Sequence, residues 1–193
     1  IAELAKDMSI CTLARSTLSD IDRAGEALRK AKQPRIHTFI STSPVHMKHK
    51  LKMGPNAVLE AIGASVTHSR KFASDVEWSA EDATRTEFDF LCKAIEVAIH
   101  SGATVINVPD TVGYSHPAEY GELIRRLIEN IPDSDKVIWS THCHNDLGLA
   151  VANSLAGVIN GARQVECAVN GMGERAGNAA LAEVVMALTV RGD

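Results

Sequence analysis

Two histidines separated by one residue, His142 and His144, stand in the stretch Ser140-Thr141-His142-Cys143-His144-Asn145-Asp146-Leu147-Gly148-Leu149-Ala150. The apolar run Val137-Ile138-Trp139 leads into them and reads as a short buried strand. Side chains on a strand alternate faces, so the two imidazoles point the same way, about 7 Å apart along the chain. Two imidazoles on one face at a strand's C-terminal end make half of a divalent-metal site. By itself HxH is a weak pattern, since two polar loop residues have the same spacing. The context adds to it: Asn145-Asp146 has the residue types of a helix N-cap, and Gly148-Leu149-Ala150 opens a small-residue helix. The pair therefore sits where a strand feeds a helix, the place where α/β barrels put their chemistry.

A second stretch with chemical potential is Asn170-Gly171-Met172-Gly173-Glu174-Arg175-Ala176-Gly177-Asn178. Its glycines allow backbone amides to turn toward an anion, and the helix start that follows favours negative charge. Contact with a phosphate or an acyl-CoA is one reading. A tight loop that needs positive φ is the other. There is no Walker motif, and the glycines are not spaced as GxGxxG after a first strand, so a nucleotide site is not indicated.

The elements that must position these groups alternate along the whole chain. Ile1 to about Met8 reads as the end of a helix, and Ser9–Ala14 as a short strand. Asp20–Lys32 repeats Ile21, Ala24, Ala27, Leu28 and Ala31 at helical spacing. Strand-like Arg35–Ile40 is followed by the polar loop Ser41–Pro44 and a helix from about Asn56 to Phe72. Asp75–Ser79 alternates as a strand, which Ala80-Glu81-Asp82 leaves; Thr86–His100 is helical, with Gly102 as its C′ stop. Thr104–Val108 is the next strand, ending in Pro109-Asp110-Thr111. Ser115 as N-cap with Pro117 near N1 starts a helix through Ile131. After the histidine strand come a helix from Gly148 to Asn160, a strand over Gln164–Val169 and a helix over Ala179–Val190.

Strands begin roughly 27 to 40 residues apart, each followed by a helix, which implies right-handed βαβ units and a parallel sheet. Six such units are legible, whereas a closed barrel needs eight. Polar residues follow nearly every strand instead of one switch point, which favours an incomplete TM-type (β/α)8 barrel over an open doubly wound sheet. At the C-terminal strand ends stand His37, Ser79, Glu81, Asp110, Thr111, His142, His144 and the Asn170–Asn178 loop. In a barrel they converge on one mouth, where His, carboxylate and hydroxyl groups around a metal suit a carbonyl substrate.

The composition sets outer bounds. The 193 residues carry a formal charge of -4, with 45% hydrophobic and 23% charged residues, as ordinary globular domains do. The mild acidity argues against a nucleic-acid surface, and no apolar run approaches the roughly 18 residues that a membrane helix needs. Cys11, Cys92, Cys143 and Cys167 form no CxxC pair, so neither a disulfide framework nor a Cys-type zinc site is suggested, and reduced thiols fit a cytoplasmic protein. The chain opens on Ile1 and stops at Asp193 just after a helical pattern, which reads as a piece of something longer.

Four stretches in order, Thr38–Ser43, Asn107–Tyr114, His142–Ala150 and Asn170–Asn178, resemble the 2-isopropylmalate synthase family of metal-dependent, barrel-built acyltransferases and lyases. The resemblance implies a condensation of acetyl-CoA with 2-oxoisovalerate, the committed step of leucine synthesis. It implies His142, His144 and Asn178 as metal ligands or near-ligands. Thr111, His37 and Ser79 would bind the substrate, Glu81 would stand near the reacting carbonyl, and Glu174 in the shell around it. The metal would be Mn²⁺ or Mg²⁺, with Zn²⁺ also compatible with imidazole ligands. Residues 1–193 would then form barrel units three to eight of a catalytic domain. The family's first two strands, its C-terminal subdomain and its regulatory domain are absent, and the whole enzyme is expected to be a homodimer. Citramalate synthase, homocitrate synthase and an inactive oligomerising fragment are the alternatives.

Overall fold

The computed structural model describes residues 2–3 and 7–191, so part of the expected opening helix lies outside the described residues. Six strands, β1 (Ile10–Arg15), β2 (Pro34–Ser41), β3 (Asp75–Glu81), β4 (Val105–Asp110), β5 (Ile138–Cys143) and β6 (Gln164–Glu166), form one sheet in sequence order. Every adjacent pair is parallel. Seven α-helices accompany them: α1 (Leu18–Leu28), α2 (Pro44–His46), α3 (Pro55–Ser69), α4 (Phe88–His100), α5 (Pro117–Asn130), α6 (Ala150–Ile159) and α7 (Leu181–Val190).

The period-2 pattern of the strands separates two environments. Ile36 and Ile40 of β2, Val76, Trp78 and Ala80 of β3, Ile106 and Val108 of β4 and Trp139 of β5 are buried and apolar. They belong with Val58, Ile62, Leu91, Ile95, Ile124 and Leu127 from α3, α4 and α5, except that Ile36 joins a smaller cluster with Ile21, Ala24 and Leu28 under α1. The intervening residues are mostly polar, with Phe39, Val105, Pro109 and Ile138 among them: Arg35 and His37, Glu77 and Ser79, Asn107, Ser140 and His142, Gln164 and Glu166. They meet one another on the other face, and their contacts show that the sheet curls. Arg35 Nη1 on β2 donates to Gln164 Oε1 on β6 at 2.6 Å. In a flat sheet, strands four places apart lie about 19 Å from each other. The fold is thus a curled part-barrel of six βα units, apolar toward its helices and mostly polar inside, as the rhythm of the sequence implies.

Several boundaries differ from the expectation, each for a local reason. β3 does not leave at Ala80 but continues through Glu81, because Ser41 of β2 still pairs with it. Ser41 closes β2 instead of opening a loop, and Pro44 already starts α2. α1 ends at Leu28, four residues early. Ser115 is not the cap of α5. Its N–H donates to the Asp110 carboxylate at 3.1 Å, and the cap position falls to His116, whose own N–H donates to Glu119 at 3.2 Å. α6 starts at Ala150, whose N–H donates to Asn145 Oδ1 at 3.1 Å. β6 stops at Glu166, because Ala168 turns to bridge with Ala180 just ahead of α7.

Candidate functional site

Strand β5 brings His142 to the sheet's polar face, and His144 lies just beyond the strand end. Their rings stand edge-on with centroids 4.9 Å apart, and the two Nε2 atoms are 3.1 Å from each other. The outer nitrogens fix the chemistry of this contact. His144 Nδ1 lies 2.6 Å from the Thr111 carbonyl oxygen, which can only accept, so Nδ1 carries the proton. Arg175 Nη2 lies 3.0 Å from that same nitrogen, but it is 2.8 Å from Thr111 O, so the guanidinium and the imidazole share one acceptor. His142 Nδ1 lies 2.6 Å from Glu166 Oε2, again an acceptor. With both protons on Nδ1, two Nε2 lone pairs face each other. Such a pair is repulsive unless a cation or a proton stands between them.

The Gly-rich loop brings Asn178 to the same strand end. Backbone contacts stitch it to the end of β5: His144 forms an antiparallel bridge with Asn178, Asn145 N donates to Gly177 O at 2.8 Å, and Ala179 N donates to Cys143 O at 3.2 Å. Asn178 Nδ2 donates to Met172 O at 2.9 Å, while its Oδ1 is buried without a partner. Burying an amide oxygen without a hydrogen bond is costly, and a cation would satisfy it. The donor set of two imidazole nitrogens and an orphaned amide oxygen therefore fits a divalent ion.

Part of this loop is closed by its own backbone, while the N–H groups of Gly173, Glu174, Arg175 and Ala176 donate to no backbone carbonyl among the described residues. The N–H groups of Gly171, Met172, Gly177 and Asn178 are all taken by carbonyls of the loop and its neighbours. Its glycines serve close packing: a Cβ on Gly173 would meet Asn178 Nδ2 at 2.2 Å, and one on Gly177, at φ +97°, would meet Gly171 O at 2.1 Å.

Around the histidines lies an open cavity of about 200 Å³, onto which His37, Ser79, Glu81, Thr111, His142, His144 and Glu174 all face. Asn178 reaches the site through the loop and does not line this cavity. Glu81 is held at the rim by Lys50 Nζ, 2.6 and 2.8 Å from its two oxygens, and by Ser41 Oγ. Thr111 Oγ1 accepts from Asp82 N at 2.9 Å. Ser79 Oγ lies 2.5 Å from His37 Nε2 and accepts from Asn107 Nδ2 at 2.9 Å.

The sequence reading missed Glu166, Asn107, Arg175 and Lys50. Glu166 accepts from His142 and, at 3.1 Å, from Asn107 Nδ2, while its other oxygen is 3.3 Å from His37 Nδ1. The available signal was two polar residues, Gln164 and Glu166, two apart in an otherwise apolar strand. Arg175 joins the loop to the site by pairing with Asp146 at 2.8 Å and holds that carboxyl below the usual range.

Burial acts on several titratable groups inside. It pushes the His37 imidazole down, which favours a neutral ring. It would raise Glu166, but the hydrogen bond from His142 and the proximity of His37 outweigh it and hold that carboxyl low. Glu77, 2% exposed, is pushed up to about 8 by burial and then by Glu166, so of the two neighbouring carboxyls Glu77 keeps the proton. Cys143, between the histidines, faces the helices, and burial pushes its thiol up to about 12, which makes it a packing group and not a ligand.

A family model described as HMGL-like matches residues 1–192. The chain is 67% identical over 193 residues to the 2-isopropylmalate synthase of Caulobacter vibrioides NA1000, covering 100% of this chain and 37% of that protein. It is 61% identical to the 2-isopropylmalate synthase of Bradyrhizobium sp. BTAi1, with the same coverage. The chain thus spans 37% of the length of these curated relatives. It superposes with a TM-score of 0.79 and 20% identity on an HMG-CoA lyase from Acinetobacter baumannii in complex with coenzyme A and 3-methylmalate, covering 97% of this chain and 62% of that one. At that identity the likeness concerns the fold alone.

Proposed function

The chain belongs to the HMGL-like family, and from that premise we propose that it carries part of the catalytic barrel of a 2-isopropylmalate synthase. The reaction is the condensation of acetyl-CoA with 2-oxoisovalerate to 2-isopropylmalate, with release of CoA, on the route to leucine. The observation that carries this reading is the pair of facing Nε2 lone pairs on His142 and His144, 3.1 Å apart, with the orphaned Oδ1 on Asn178, whose backbone bridges to His144. The identity to curated 2-isopropylmalate synthases supports the choice of 2-oxo acid.

In this reading His142, His144 and Asn178 hold a divalent ion, Mn²⁺ or Mg²⁺, with Zn²⁺ also accepted by imidazoles. Bound there, such an ion would supply Lewis-acid polarisation of a keto carbonyl and would offset negative charge on its oxygen. The protein's own groups do the rest. Thr111, Ser79 and a neutral His37 offer hydroxyl and imidazole partners to the 2-oxo acid. Glu81, fixed by Lys50, stands near the reacting carbonyl, and Glu174 closes the shell at the cavity mouth. The acetyl methyl gives up a proton, its carbon bonds to the keto carbon, the keto oxygen takes up a proton to become the product hydroxyl, and water cleaves the thioester to a carboxylate and the free thiol of CoA.

The six units correspond to barrel units three to eight. In the whole protein the first two units complete the wall between β1 and β6, and further C-terminal and regulatory domains lie outside this chain. A homodimer with small-molecule substrates in the cytoplasm fits this reading. Among the described residues no helix is long and apolar enough to cross a membrane. The test follows CoA release by the whole protein with 2-oxoisovalerate, pyruvate or 2-oxoglutarate. The reading expects release with 2-oxoisovalerate that disappears on chelation and returns with Mn²⁺. Preference for pyruvate or 2-oxoglutarate would reassign it to citramalate or homocitrate synthesis, and no release with any of the three would end it.

A further inference from the structure

We infer that Glu166 is a positioning residue that sets the tautomers of His37 and His142 together, and so decides which ring nitrogens in the cavity present lone pairs. Strand register places it there: Glu166, the last residue of β6, is the Cα partner of His142 on β5. Both residues point to the polar face of the sheet.

The hydrogen bonds around Glu166 run in one direction. Asn107 Nδ2 has two protons, and its two acceptors are Ser79 Oγ at 2.9 Å and Glu166 Oε2 at 3.1 Å. Having accepted from Asn107, Ser79 has its own proton free for His37 Nε2 at 2.5 Å. His37 Nδ1 stands 3.3 Å from Glu166 Oε1, outside hydrogen-bond geometry but beside the carboxylate's negative charge, which favours the proton on that nitrogen. His142 Nδ1, 2.6 Å from Glu166 Oε2, is the protonated nitrogen of the other. Each donor in this network points, directly or through Ser79 and His37, to a carboxylate that accepts and does not donate. One side chain thereby links the imidazole facing His144 to the imidazole facing Ser79.

An amide in its place breaks the pattern. Gln at position 166 removes the negative charge beside His37 Nδ1 and presents one acceptor and one donor where both ring nitrogens carry protons toward a carboxylate. One ring must then move its proton to Nε2. If that ring is His142, its new Nε2–H points at His144 Nε2 across 3.1 Å and fills the gap between the rings with a proton. Loss of such a carboxylate partner typically weakens metal binding by about 10- to 100-fold.

The inference rests on hydrogen-bond geometry and not on the proposed condensation, so its test reads tautomers directly. In the metal-free whole protein, labelled with ¹⁵N-histidine and held near pH 8.5, above the ordinary imidazole range, long-range ¹H–¹⁵N spectra should show Nδ1–H on both His37 and His142. Glu166→Gln should move the proton on at least one ring. Where that ring is His142, calorimetry should show Mn²⁺ affinity falling by about 10- to 100-fold. Finding Nε2–H on either ring of the parent, or no tautomer change in Glu166→Gln, overturns the inference. If the Gln variant does not fold, the parent spectrum alone decides.

Discussion

Replacing Gly173 by Ala tests whether Asn178 is aimed at a cation. The added Cβ would stand 2.2 Å from Asn178 Nδ2 and 2.8 Å from its Cγ. Both atoms belong to a side chain that can swing, so the amide is expected to move before the backbone does. Moving it sacrifices the 2.9 Å hydrogen bond to Met172 O, worth about 0.5–1.5 kcal/mol. It also forces the side chain off its rotamer at about 0.5–1.5 kcal/mol. The sum, about 1–3 kcal/mol, matches the usual cost of overpacking. Displacing Oδ1 should weaken metal binding about tenfold, equivalent to about 1.4 kcal/mol. Gly148→Ala is the control: at φ +71° nothing lies within 4 Å of the added carbon, so only backbone strain of about 1–2 kcal/mol arises and metal affinity should hold. Urea unfolding reads the stabilities and calorimetry with Mn²⁺ reads the affinities, both on the whole protein. A Gly173→Ala variant that is destabilised but binds Mn²⁺ as tightly as Gly148→Ala would refute the placement of Asn178 at the metal.

Titration of Mn²⁺ or Zn²⁺ into the His142→Ala, His144→Ala double variant should show no binding where the parent binds; retained binding would place the metal elsewhere. If Glu81, near the reacting carbonyl in the proposed reaction, transfers a proton there, Glu81→Gln should lower CoA release by at least about 100-fold. It should change stability by less than about 1 kcal/mol, because its partner Lys50 is half exposed. Thermal unfolding would show whether the effect is on chemistry or on the fold. Glu77 has its folded pKa raised from 4.5 to about 8, so between those values the folded state binds the extra proton, and this group's contribution to stability falls as pH rises. Glu77→Gln should therefore gain stability relative to the parent from pH 5 to pH 8 in denaturant titrations, and a parallel pair of curves would contradict the assignment. Ile62→Ala, at a fully buried position between α3 and the sheet, should cost about 2–5 kcal/mol, measured by urea unfolding.

The local pattern of the chain determined the βα rhythm, the polar strand ends and the HxH pair, because these depend on side-chain periods of 2 and 3.6 that adjacent residues express by themselves. The residues inferred from family resemblance were legible for a related reason: Glu81 closes β3, His142 stands next to the end of β5, and Thr111, His144 and Glu174 follow strands, whose ends a parallel sheet delivers to one mouth. His37 and Ser79, expected at strand ends, sit inside β2 and β3 and still face the same cavity. Tertiary structure alone decided what each group meets. Period 2 says that Glu166 faces inward, but only the register of β6 on β5 sets it opposite His142, and only the curl of the sheet brings Arg35 to Gln164. Likewise Ser115 has the residue type of a cap, yet Asp110 from the preceding strand takes its N–H and moves the cap to His116. The orphaned oxygen of Asn178 arises from backbone bridges between a loop and a strand more than thirty residues earlier in the chain. Contacts of this kind depend on curvature and register, which no single segment encodes, and they carry the chemistry of the site.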